Sequence, residues 1–183
     1  WPDPTRLEEV LTLLRGAERP VLIGGHGVWW SGGEDALAHA GNHLRIPIFN
    51  VPYHTKMLGE DCEAFMGLAD FHQYHPSKPA IQEADLVIMV GCRLDNQMNF
   101  GNPPFIGAQT KLVCVNGSHE ELDYNFGADV QLLSDPGAFL TALSTLESRW
   151  DEWLDLQKTR RAQWVRHWSD HIAAETAIDA AEG

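Results

Sequence analysis

Residues 84–93 read Ala-Asp-Leu-Val-Ile-Met-Val-Gly-Cys-Arg, and this stretch decides the fold. Between Asp85 and Gly91 every side chain is apolar. A strand with one wet face alternates apolar and polar residues, whereas an unbroken apolar run of this length reads as a strand buried on both faces. That environment belongs to parallel sheets covered by helices. Similar runs flank it. Pro20 opens Val21-Leu22-Ile23, which Gly24-Gly25 ends; Ile46-Pro47-Ile48-Phe49 is a second strand, with the proline near its start; Ala64-Phe65-Met66 is a short third. Downstream come Lys111 to Val115 and Val130 to Leu133.

Helical stripes fall between these runs. Leu7, Val10, Leu11 and Leu14 recur at helical spacing over Thr5–Leu14. Ala36, Leu37, Ala40 and Leu44 repeat the pattern, with a start expected near Ser31 as the cap. Asp135 to Leu146 predicts another helix, capped by Asp135. Strands alternating with helices give an α/β fold class: a three-layer Rossmann-like domain with a six-stranded parallel sheet flanked by helices.

The terminal stretch, Trp150 to Ala181, is polar and helix-forming but carries Trp150, Trp153, Leu156, Trp164 and Trp168. So many tryptophans on one helix require a surface to cover. Two readings stand: the helix packs back on the same domain, or it is a linker lying against a neighbouring domain. The chain starts at Trp1 and ends in a small-residue tail, and both ends read as cuts inside a longer polypeptide.

With 183 residues the chain has the length of one domain. Apolar residues make up 44% and charged residues 21%, an ordinary globular balance. A formal charge of −13 argues against nucleic acid or an anionic membrane as partner, since both need clustered Lys and Arg. No apolar run approaches the ~20 residues of a membrane span. Cys62, Cys92 and Cys114 form no CxxC pair, and the last two lie inside apolar runs. Free thiols in a reducing, cytoplasmic compartment are the expectation.

Three strand ends carry candidate chemistry. Gly24-Gly25-His26-Gly27 follows the first strand, where glycine lets a phosphate approach the backbone, although Trp30 stands in place of the third glycine of a GxGxxG fingerprint. Arg93 leaves the strongest strand and could hold a phosphate bidentately or pair with Asp95 to fix its loop. Asn116 and Ser118 leave the next strand, hydrogen-bonding but uncharged, where such sheets often carry an acid. The candidate ligand-contacting residues are therefore Gly25, His26, Gly27, Arg93, Asn116, Ser118 and Asp135. The nine histidines, including His72 with His75 and His167 with His171, complete no recognised metal motif. No nucleophile with its base is evident, so no catalytic residue is assigned.

From about Leu7 to Leu146 the chain resembles the central domain of thiamine-diphosphate-dependent enzymes of the acetolactate synthase type. Five pieces in order carry the resemblance: residues 19–27, Ile46-Pro47-Ile48, residues 84–93, residues 111–115 and residues 129–135. Asn99 to Pro104 is similar to the 2-hydroxyacyl-CoA lyase and oxalyl-CoA decarboxylase branch. The resemblance implies that residues 1–149 are a middle domain and 150–183 a linker helix towards a C-terminal domain. It also implies a homo-oligomeric parent lyase, carboligase, transferase or decarboxylase acting on 2-keto acids or 2-hydroxyacyl substrates. Thiamine diphosphate and magnesium would bind in the other two domains, leaving this fragment inactive alone. The synthase branch holds FAD on this domain and the decarboxylase branch ADP. Gly25, Gly27, Arg93 and Asp135 match nucleotide-contacting positions. The family's Asp-x-Asp is Asn116-Gly117-Ser118 here, its GKG loop is Thr55-Lys56-Met57, and its flavin-lining loop is residues 67–72. A stand-alone module for ADP, FAD or CoA and a purely structural spacer are the alternatives.

Overall fold

Six strands pair in parallel in a computed structural model that describes residues 1–52, 57–59, 61–72, 77–124 and 127–182, with side chains through residue 173. In chain order they are β1 (Pro20–Gly24), β2 (Ile48–Asn50), β3 (Phe65–Leu68), β4 (Leu86–Val90), β5 (Lys111–Asn116) and β6 (Val130–Leu133). The sheet order is β3-β2-β1-β4-β5-β6. Leu22 pairs with Ile48 on one side and with Ile88 on the other, so β1 and β4 are central. Every residue of both is buried, as their unbroken apolar runs require of a middle layer.

The helices are α1 (Pro4–Gly16), α2 (His26–Trp30), α3 (Glu34–Leu44), α4 (Ser77–Glu83), α5 (His119–Asp123), α6 (Pro136–Leu143) and α7 (Asp151–Glu182), with a 3-10 turn at Asn96–Gly101. Helices α2, α3 and α6 pack on one another, while α1 reaches β6 and α4 and α7 reach β3. The turn expected to start at Ser31 instead ends there. Ser31 closes α2, donating its hydroxyl to the Val28 carbonyl at 2.9 Å, and Gly33 becomes the N-cap of α3. Gly32 at φ 63° makes the reversal between the two helices. Strand β2 starts at Ile48, one residue after Pro47, because proline has no amide to give to the ladder.

Carboxylates lock the amino ends of the strands. Asp85, just before β4, accepts from the amides of Glu18 and Arg19 at 2.8 and 2.9 Å, holding the loop that enters β1. Asp129, just before β6, accepts from the Leu112 amide at 2.9 Å and from Lys111 Nζ at 2.6 Å. At the carboxyl ends of β1 and β4, glycines turn the chain instead.

The start of α7 belongs to the domain core. Trp150 and Leu154 are buried with Trp153, and the two indole N–H groups donate to the carbonyls of Ala17 (2.9 Å) and Pro20 (3.0 Å). Arg45, in left-handed conformation at the end of α3, bonds Asp151 at 3.0 Å and Asp155 at 3.2 Å. Beyond these turns the helix loses its cover: Val165, Trp168 and Ile172 are exposed. The first reading of its tryptophans thus holds for Trp150 and Trp153, which pack back on this domain. No described helix is long and apolar enough to cross a membrane.

Candidate functional site

The strand order reverses direction between β1 and β4, and in open parallel sheets that switch point leaves a crevice at the carboxyl ends. A cavity of about 630 Å³ lies there, lined by residues leaving β1, β2, β4, β5 and β6. Six of the seven candidate residues line it: His26, Gly27, Arg93, Asn116, Ser118 and Asp135.

Gly25 does not. A Cβ at Gly25 would stand 2.3 Å from the Cys92 Cβ and 2.5 Å from the Gly91 carbonyl oxygen, so its glycine character serves close packing of two turns. The turns are stitched by the Gly25 amide to the Val90 carbonyl (2.9 Å) and the Gly91 amide to the Val115 carbonyl (2.8 Å). Asn116 joins the same stitching: its buried side-chain amide donates to the Cys92 carbonyl at 3.0 Å. Ser118 caps α5 by accepting from the Glu121 amide at 3.2 Å, and Asp135 caps α6 by accepting from the Ala138 amide at 2.8 Å.

Arg93 is not held by Asp95. The Asp95 carboxylate accepts from the amides of Gln97 (2.9 Å) and Met98 (3.3 Å) and so caps the 3-10 turn. The guanidinium instead forks onto both carboxylate oxygens of Glu121 and lies 4.5 Å from the centroid of the Tyr124 ring. These hydrogen bonds hold the Glu121 carboxyl below its ordinary range and raise the Arg93 guanidinium further. Glu121 is the acid that sequence reading missed after β5, because it sits in the first turn of α5 rather than in the loop. Its signal was the Ser-x-x-Glu capping pattern of residues 118–121. Cys92 also lines the cleft, but burial pushes its thiol well above the ordinary value, which denies it nucleophilic character at neutral pH. Trp30, 77% exposed, stands at the rim as a flat apolar surface.

Among the described residues no group of three or more His, Cys, Asp or Glu side chains could hold a metal ion. His75 and the Thr55-Lys56 pair lie outside the described residues. One guanidinium, an exposed indole, glycine backbone, hydroxyl and amide groups, His26 and the carboxylates of Asp95, Glu121 and Asp135 surround a cavity whose volume lies within the ~300–1,000 Å³ range of small-ligand sites.

Fold and cleft define a doubly wound α/β domain with a crevice at the switch point. The chain belongs to the family described as thiamine pyrophosphate enzyme, central domain, whose model matches residues 7–143. It is 28% identical over 154 residues to the acetolactate synthase large subunit of Lactococcus lactis, covering 84% of this chain and 27% of that protein. It is 29% identical over 140 residues to 2-hydroxyacyl-CoA lyase 1 of Mus musculus, covering 73% of this chain and 23% of the relative. The chain thus spans about a quarter of the length of the curated relatives it matches. The solved structure of a thiamine diphosphate-dependent 4-hydroxybenzoylformate decarboxylase from Rhodococcus jostii RHA1 shares the fold. Its TM-score is 0.66 at 17% identity, covering 80% of this chain and 28% of that one.

Proposed function

We propose that this chain is the middle domain of a larger cytoplasmic, homo-oligomeric enzyme that makes or breaks a carbon–carbon bond beside a carbonyl. Its substrates would be 2-keto acids or 2-hydroxyacyl compounds, and its reaction class lyase, decarboxylase or transferase. Thiamine diphosphate, with magnesium, would supply the carbanion-stabilising chemistry from domains outside this chain. Residues 1–149 together with the buried first turns of α7 would form the domain proper, and the exposed distal half of α7, within residues 150–183, would lead towards a following domain.

The domain's own contribution in this reading is a cleft for an adenine nucleotide, ADP or the ADP portion of FAD. The observation that carries it is Arg93 at the carboxyl end of β4, lining the cavity of about 630 Å³ with a guanidinium that is already forked onto a carboxylate. The residues suit such a ligand in type. Arg93 would take a phosphate bidentately, the exposed Trp30 indole would stack on a base, and Ser118 and Asp135 offer oxygens to ribose hydroxyls.

Isothermal titration calorimetry of the intact protein with ADP, FAD and CoA tests this. Saturable heat with ADP or FAD is the expected result, and no heat with any of the three at millimolar concentration sinks the nucleotide reading. A second reading, a purely structural spacer, is favoured by Asn116, whose amide is spent on the Cys92 carbonyl. Mass spectrometry of the purified protein separates the two, since a co-purified nucleotide excludes the spacer.

A further inference from the structure

Arg93 is the single Arg or Lys among the described residues lining the cleft, and its guanidinium is already engaged. Nε and Nη2 meet the two oxygens of one carboxylate, the same parallel pair of hydrogen bonds that two oxygens of a phosphate would make. The carboxylate and its neighbour come from one short element. Glu121 sits in the first turn of α5 and Tyr124 caps its end, so α5 offers the guanidinium an edge partner and a face partner at once.

We propose that Glu121 is an internal competitor for the ligand's phosphate, so that the cleft binds a nucleotide by exchanging one anion for another on Arg93. This inference rests on the nucleotide reading above. A phosphate arriving in the cavity takes the edge of the guanidinium as Glu121 leaves it, while Tyr124 keeps the face and Arg93 stays where it is. The pair is well placed to open, because Arg93 is 46% exposed and Glu121 36%, and exposed pairs are weak. It is also costly for the ligand to leave Glu121 charged nearby, since Asp95 and Asp135 already line the same cavity. Glu121 therefore sets a threshold: weakly anionic ligands do not displace it, and di- or polyphosphates do.

Calorimetric titrations of the intact protein with ADP and with adenosine test the exchange. Glu121→Gln keeps the side chain's shape and removes its charge; it is expected to tighten ADP binding about tenfold and to leave adenosine unchanged. Glu121→Ala is expected to give the same gain, which guards against a peculiarity of the amide. In an Arg93→Ala background the gain must fall to the small part that relief of charge repulsion alone supplies, because the competition takes place on that guanidinium; an undiminished gain would overturn the exchange. If the unaltered protein binds ADP and Glu121→Gln binds it equally or more weakly, the exchange is wrong while the nucleotide reading stands. If no variant binds ADP or adenosine, the nucleotide reading fails and takes this proposal with it.

Discussion

The Gly27 amide donates to the Gly91 carbonyl oxygen at 2.8 Å, so the turn leaving β1 rests directly on the turn leaving β4. Gly91 adopts φ 65°, and a Cβ there would stand 2.6 Å from both the Gly27 Cα and the Val28 nitrogen. Two backbones meet with no room for a side chain, at the point where the sheet changes direction. The floor of the cleft is this contact.

Gly91→Ala is therefore expected to lower stability by about 2–4 kcal/mol, combining left-handed strain with a backbone clash that no rotamer relieves. Gly32 provides the comparison. It shares the positive φ, at 63°, but nothing lies within 4 Å of its Cβ position. Gly32→Ala should cost only about 1–2 kcal/mol. Urea denaturation of the two variants measures the difference, and equal losses would show that strain alone matters.

The two halves of α7 should respond differently to truncation. Trp153 is 6% exposed and hydrogen-bonded, so Trp153→Ala is expected to cost about 3–5 kcal/mol. Trp168 is 39% exposed, with ring contacts to Trp164, His167 and His171 of its own helix. Trp168→Ala should change the stability of this domain by no more than about 0.5 kcal/mol. Thermal unfolding of both variants checks this.

Alkaline pH should destabilise the fold through its thiols. Burial pushes Cys114 up to about 12, and burial raises Cys92 and Cys62 as well. A group whose pKa is raised by folding contributes stability that is present below its unfolded value and lost as pH climbs towards the folded one. Unfolded thiols titrate near pH ~8.5, so stability should fall from there upward, by about 1.4 kcal/mol per pH unit for Cys114. Stability measured between pH 8 and 10 tests the slope, and Cys114→Ala should lessen it, leaving the part due to Cys92 and Cys62. At pH 8 a thiol reagent should label the native protein slowly and the urea-unfolded protein fast.

The sequence pattern carried more about the fold than about the cleft, and the difference is physical. The central strands β1 and β4 were legible because a strand buried on both faces must be an unbroken apolar run, whatever its neighbours are, while the edge strands β3 and β6 are only partly buried and show shorter runs. The long helices were legible because one buried stripe imposes a helical period over three or more turns. Helices α2, α4 and α5, of five, seven and five residues, are too short to display a period, and they form because the sheet holds their ends.

By itself, then, the sequence determined a parallel six-stranded sheet and the strand ends that line the cleft, since both follow from where the apolar runs begin and end. Tertiary structure alone decided how those ends are used. It brought Glu121 to Arg93 across 28 residues, assigned Asp95 to a turn, and turned Gly25 from a ligand-facing glycine into a packing one. It also sank Trp150 and Trp153 into the core while leaving Trp168 exposed. Such choices depend on which partner arrives from elsewhere in the chain, and a side chain's own type and spacing do not contain that information.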